Sequence, residues 1–128
     1  MKKKILIVLA NYYKDISNGL LSNSKKHISK NSSVKIIEVP GVFEIPITIK
    51  KNIKKYDAFI ALGCVIKGQT PHFDFISQSS ISAIMNLSID NNKPIGNGII
   101  TCLNLKQAKA RKKKGAEATK AVLSVLNQ

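Results

Sequence analysis

Between Ala58 and Ile66 the chain runs through an unbroken apolar stretch, Ala-Phe-Ile-Ala-Leu-Gly-Cys-Val-Ile. Without polar alternation, such a run reads as a strand covered on both faces, the habit of parallel sheets. It leads directly into Lys67-Gly68-Gln69-Thr70-Pro71-His72. Thr70 is a good helix N-cap, and Pro71 suits the first helical position, where its missing N–H leaves nothing unsatisfied. The amides around Gly68, Gln69 and Thr70 are then expected to point outward at the positive end of a helix, a ready site for an anion such as phosphate. Two residues on, His72 can exchange protons near neutral pH. A histidine at a helix start is more often a cap or a surface group, so its weight depends on its surroundings.

The surroundings repeat the theme. Residues 4–10 and 34–39 read as two further strands, residues 57–66 as the third and 95–102 as the fourth. Helices are expected over residues 15–29, 43–54, 71–89 and 105–126. Ile16, Leu20, Leu21 and Ile28 form the apolar stripe of the first helix, and Phe73, Ile76, Ala83, Ile84 and Leu87 that of the third. Pro46 falls in the first turn of the second helix, and Gly115 marks a break or restart in the last. This alternation predicts one α/β domain over residues 1–128, a four-stranded parallel sheet in a three-layer α/β/α sandwich with right-handed crossovers. Ligands of such sheets bind at the carboxyl ends of the strands. Asn11-Tyr12-Tyr13, Pro40-Gly41-Val42-Phe43-Glu44 and the segment from Lys67 to His72 all fall there.

Composition narrows the partners. The chain has 128 residues, enough to bury roughly two-thirds of its unfolded surface in one core. Its formal charge of +14 comes from 21 basic residues against seven acids. Nucleic acid, an anionic membrane or phosphorylated metabolites all suit that sign. The lysines are scattered, however, and the aromatics lie in apolar runs rather than among them, which argues against a stacking platform for single strands. Cys64 and Cys102 have no CxxC partner and read as reduced core residues; no metal site is expected. The apolar run after Met1-Lys2-Lys3-Lys4 is too short for a signal peptide and fits a first strand better. No segment has the length of a membrane span, and a cytoplasmic protein is expected.

Three segments give the chain a family likeness. Pro40-Gly41-Val42-Phe43-Glu44-Ile45-Pro46 is similar to a Pro-Gly-x-aromatic-Glu-x-Pro loop. Gly63-Cys64-Val65-Ile66-Lys67-Gly68-Gln69-Thr70-Pro71-His72-Phe73-Asp74 follows a Gly-x-Val-Ile-basic-Gly-x-Thr-x-His-Phe-Asp signature. Gln107-Ala108-Lys109-Ala110-Arg111 and Lys114-Gly115-Ala116-Glu117-Ala118 are similar to a Gln-Ala-x-x-Arg and Lys-Gly-x-Glu-Ala pair. Together they resemble the 6,7-dimethyl-8-ribityllumazine synthases of riboflavin biosynthesis, over essentially the whole chain. Arg111 adds an independent mark: it is the one arginine in a chain that otherwise uses lysine. A guanidinium kept at one position suggests bidentate grip on an oxyanion.

The resemblance implies a flavodoxin-like fold and a transferase that works without a cofactor. It would join 5-amino-6-(D-ribitylamino)uracil to 3,4-dihydroxy-2-butanone 4-phosphate, releasing the lumazine, phosphate and two waters. It makes His72 the proton shuttle. Tyr12, Val42, Phe43, Glu44, Val65, Ile66, Lys67 and Asn97 would hold the pyrimidine and its ribityl chain. Gln69, Thr70, Arg111 and Lys114 would hold the phosphate. It further implies a homo-oligomer, a pentamer or assemblies of pentamers, in which the Asn97, Arg111 and Lys114 segments serve a neighbour's site.

The chain departs from the pattern at three places. Tyr13 stands where asparagine is frequent, Asn97 replaces a frequent aromatic, and only Lys112 and Lys113 separate Arg111 from Lys114. A riboflavin synthase of the same fold would not need the phosphate residues. A catalytically silent flavin- or lumazine-binding protein would keep Tyr12 and Glu44 without needing His72 or Arg111. A nucleic-acid-binding domain would show steep salt dependence.

Overall fold

The computed structural model describes residues 2–68 and 72–128. Four strands, β1 (Lys3–Ala10), β2 (Ser32–Val39), β3 (Ala58–Ile66) and β4 (Ile95–Cys102), form one sheet in the order β2-β1-β3-β4. Every pairing is parallel, with Ile7 opposite Ile36 and Ile60, and Leu62 opposite Gly98. Among the described residues five α-helices accompany it: α1 (Lys14–Lys25), α2 (Ile45–Lys51), α3 (His72–Asn91), α4 (Leu105–Ala110) and α5 (Lys114–Leu126). The expected three-layer sandwich is the fold.

The apolar runs of β1 and β3 explain why these two strands are central. Leu6, Val8, Phe59 and Ala61 turn to one side with Val42, Ile45 and Ile49, while α3 contributes Ile84. Ile5, Ile7, Ile60 and Leu62 turn to the other, against Ile16 and Leu20 of α1 and Ala118 and Val122 of α5. Successive residues of a strand face opposite layers, so both faces need apolar side chains and no polar alternation survives.

Four local departures from the sequence reading have physical causes. The first helix ends at Lys25, and residues 26–28 continue only as tight turns, His27 N–H to Ser24 O and Ile28 N–H to Lys25 O. The second begins as a 3₁₀ turn, Val42–Glu44, because Pro46 has no N–H for the Val42 carbonyl, which accepts from Ile45 instead. The third extends to Asn91 and closes on Asn92, whose φ of 53° and the Lys93 N–H to Ser88 O bond (3.1 Å) make a left-handed cap. The last is two helices, with the break at residues 111–113 rather than at Gly115. Gly115 lies in the first turn of α5, where a Cβ would stand 2.1 Å from the Leu20 carbonyl oxygen, so its role is close packing on α1.

Candidate active site

β1, β2 and β3 each present candidate residues at or beyond their carboxyl ends, whereas β4 presents Asn97 within the strand. At the end of β1, Tyr12 projects outward, 74 % exposed, its ring edge-on to Tyr13 at 4.9 Å. Asn11 N–H bonds the Val39 carbonyl (3.0 Å), tying this loop to the end of β2. Ser17 Oγ donates to the Ala10 carbonyl and holds the first turn of α1 against the strand.

The Val42–Glu44 turn is seated by glycine. A Cβ on Gly63 would come within 2.8 Å of Val42 Cγ2 and 3.0 Å of the Ala10 Cβ. The bare backbone of β3 lets Val42 sink into the core while Phe43 stays 64 % exposed. Gly41 gives Glu44 room, since a Cβ there would lie 3.3 Å from Glu44 Oε1. Phe43 and Glu44 line an open cavity of about 410 Å³ with Pro46, Ile47, Ser80 and Ala83. On α3 the Ser80 hydroxyl, which lines it, and that of Ser77 are buried and have no hydrogen-bond partner among the described residues.

Val65 and Ile66 are half-buried at the end of β3, packed against opposite core clusters. Lys67 is exposed, its N–H bonded to the Cys102 carbonyl at 2.8 Å. Gln69, Thr70 and Pro71 lie outside the described residues, and with them the amide cradle. His72 is the first residue of α3 and is exposed.

A second cavity, of about 520 Å³, opens at the β4 edge. It gathers Asn97, Arg111 and Lys114 together with Thr101, Lys113 and Glu117. Arg111 caps α4 and donates from Nη1 to the Thr101 carbonyl (3.2 Å), leaving the rest of its fork available. The α4 start is fixed by Asn104 Oδ1, which accepts from Gln107 N–H (2.9 Å), and by Gln107 Oε1, which accepts from Leu103 N–H (2.8 Å). Three cations face one carboxylate here, so the cavity favours an anion. Asn97 also occupies its own edge: its Oδ1 accepts from Ile99 N–H at 3.1 Å.

The sequence reading missed Thr101, Lys113 and Glu117. Thr101 was accessible through the strand period, since Asn97, Ile99 and Thr101 share a face of β4. Glu117 was accessible through helical spacing, three residues beyond Lys114. The reading also missed the outer face of α3, where Ile81, Met85 and Ile89 recur at helical spacing, Met85 58 % and Ile89 69 % exposed. Ile81 and Met85 border an apolar groove of about 230 Å³ completed by Ile95, Val122 and Val125.

The predicted site residues are thus divided. Phe43 and Glu44 belong to one cavity, and Asn97, Arg111 and Lys114 to another that shares no lining residue with it. Ser79, Ser80 and Ala83 of α3 face the first, Ile81 the second.

Two groups near the strand ends are silent at neutral pH. Burial, then Cys102, pushes the Cys64 thiol up to about 12, so it does not serve as a thiolate nucleophile. Burial, then Cys64 and Tyr12, raises the Tyr13 phenol. Among the described residues, no three or more His, Cys, Asp or Glu side chains gather as a metal cage, and no helix is long and apolar enough to cross a membrane.

The family model for 6,7-dimethyl-8-ribityllumazine synthase matches residues 2–128. Proteins of that name from Methylorubrum populi and Agrobacterium fabrum are 40 % and 39 % identical, over 96 % and 98 % of this chain and 80 % and 93 % of their own. The one from Bartonella henselae is 42 % identical over 98 % of this chain and 87 % of its own. The match takes in every strand end that carries a candidate residue, and the chain belongs to the 6,7-dimethyl-8-ribityllumazine synthase family.

Proposed function

We propose that this protein condenses 5-amino-6-(D-ribitylamino)uracil with 3,4-dihydroxy-2-butanone 4-phosphate, in a site completed by a second copy of the chain. One observation carries the reading: an aromatic and carboxylate half-site and a cationic half-site occupy separate cavities of one chain. Each half is chemically incomplete alone. The exposed apolar face of α3 and the groove beside β4 support assembly, because an unpartnered apolar stripe of this kind marks an interface. A cyclic pentamer is the minimum assembly proposed.

In this reading Tyr12 stacks on the pyrimidine, and Val65, Ile66 and Lys67 line its pocket. Phe43 and the backbone at Val42 meet the ring edge. Glu44 accepts hydrogen bonds from ribityl hydroxyls. From the neighbour, Asn97 reaches the ring side, and Arg111 and Lys114 take the phosphate with Gln69 and Thr70.

The 5-amino group attacks the ketone, and loss of water gives an imine. Phosphate then leaves with its bonding electrons, the ring closes through the ribityl-bearing nitrogen, and a second water departs. Each step moves a proton, and in this reading His72 carries it, a role that contributes about 10²–10⁴ in rate. Fixed cations at the leaving phosphate stabilise charge as it develops. Holding two substrates in one orientation accounts for several further kcal/mol, on the order of 7–11 at most. The substrates are small metabolites; nucleic acid, membrane and cofactor have no part in the proposal, and the cytoplasm is the proposed location.

The test mixes both substrates with the purified protein and follows lumazine and phosphate together. Matched release well above background supports the reading. Tight binding of the pyrimidine without turnover would instead favour a silent binding protein.

A further inference from the structure

Arg111 and Lys114 flank a bend between α4 and α5 that is held from behind by α1. Gly19 sits inside α1, where glycine is a poor helix former. Its carbonyl accepts from Asn23 Nδ2 at 2.9 Å. A Cβ built on Gly19 would stand 2.3 Å from Lys112 Cδ and 2.9 Å from Lys112 Cγ. The methylene stem of Lys112 therefore lies directly across the backbone of α1, in space that exists because residue 19 has no side chain. Lys112 is half-buried and does not line the cationic cavity, although Arg111, Lys113 and Lys114 do.

Gly115 makes the matching contact from α5, backbone against the Leu20 carbonyl. Deeper along the same helix pair, the Ser24 and Thr119 hydroxyls meet at 2.5 Å. Between these points the bend is built of tight turns: Arg111 N–H to Ala108 O (3.1 Å), Lys114 N–H to Arg111 O (3.1 Å) and Gly115 N–H to Lys112 O (3.3 Å). Both cations emerge from a segment that meets α1 closely at Lys112 and at Gly115.

We infer that the Lys112 stem, seated on Gly19, is a positioning contact for the phosphate half-site: it fixes the bend so that Arg111 and Lys114 converge on one anion. The inference rests on the phosphate reading above. Lys112 acts through its methylenes and not through its charge.

The experiment is steady-state kinetics in both substrates on assembled protein, for Lys112→Ala, Lys112→Met, Gly19→Ala, the Gly19→Ala/Lys112→Ala double variant and Arg111→Lys. Lys112→Ala should raise KM for the butanone phosphate about five- to tenfold while leaving that for the pyrimidine within about twofold. Lys112→Met keeps the stem and should behave as the parent. Gly19→Ala should raise the same KM, and the double variant should be no worse than Lys112→Ala, because the added methyl then meets nothing. If Gly19→Ala does not fold, the two Lys112 variants decide.

Equal effects of Lys112→Ala and Lys112→Met would overturn the inference, showing that charge matters. So would an additive double variant, or equal rises in both KM values. Arg111→Lys separates the levels. If it raises the phosphate KM and the Lys112 and Gly19 variants do not, positioning alone fails. If it has no selective effect, the phosphate reading fails and the inference with it.

Discussion

His72, Arg111 and Cys64 carry the sharpest expectations at the scale of single residues. His72→Ala should slow turnover about 10²-fold or more, measured as lumazine formation at saturating substrates. Arg111→Lys should weaken the phosphate substrate far more than the pyrimidine, because an ammonium cannot reproduce a bidentate fork. Cys64 makes a pH prediction. Its folded value of about 12 lies above the ordinary 9.0, so the native state keeps a proton that the unfolded chain loses. The contribution is complete below about pH 9 and disappears as pH rises toward 12. Denaturant titrations over that range should show a shallower loss of stability in Cys64→Ala than in the parent; identical slopes would remove Cys64 from the account. Arg111 was legible in the sequence by its solitude among lysines, and the structure sets it in a cationic cavity. Thr101 and Glu117 were not read, because each gains meaning only once β4 and α5 are seen to share that cavity.

The elements were more legible than their ends. The apolar runs of β1 and β3, the number of strands and the parallel sheet followed from the pattern of apolar runs alternating with helical stretches, since burial on both faces leaves a continuous signature; the order of the strands in the sheet did not. What periodicity did not carry was hydrogen-bond detail: the 3₁₀ entry before Pro46 and the bend at residues 111–113 depend on individual N–H groups. The stripe of α3 was read only in part. Ile76, Ile84 and Leu87 do face the core, yet Ser77 and Ser80 are buried beside them and Ile81, Met85 and Ile89 are not. Gly115 was read as a break or restart; α5 does restart at Lys114, and the glycine itself is a packing contact. Gly115→Ala, which drives a methyl into the Leu20 carbonyl, should therefore destabilise the fold by about 1–3 kcal/mol in denaturant titrations. A neutral or stabilising effect, the ordinary result of replacing an exposed helical glycine, would contradict that contact.

At the scale of the whole molecule, two partial sites and an apolar outer face are explained together by assembly. The cavities lie on different sides of α3, so no rearrangement of side chains within one chain joins them. Placing a charge on the exposed stripe, as in Met85→Lys, should shift sedimentation toward smaller species and lower activity in proportion, while the isolated fold persists by circular dichroism. Nothing in strand or helix periodicity announced this, because a surface that meets a second copy looks, in one sequence, like misplaced core. The most direct measurement is complementation. His72→Ala and Arg111→Ala proteins, each inactive, are unfolded together and reassembled at equal amounts. If each site draws its histidine and its arginine from different chains, about one site in four should be intact and activity should return to that fraction of the parent. Mixed assemblies that stay inactive, with mixing itself verified by mass, would show that a single chain supplies both residues and would contradict the shared site.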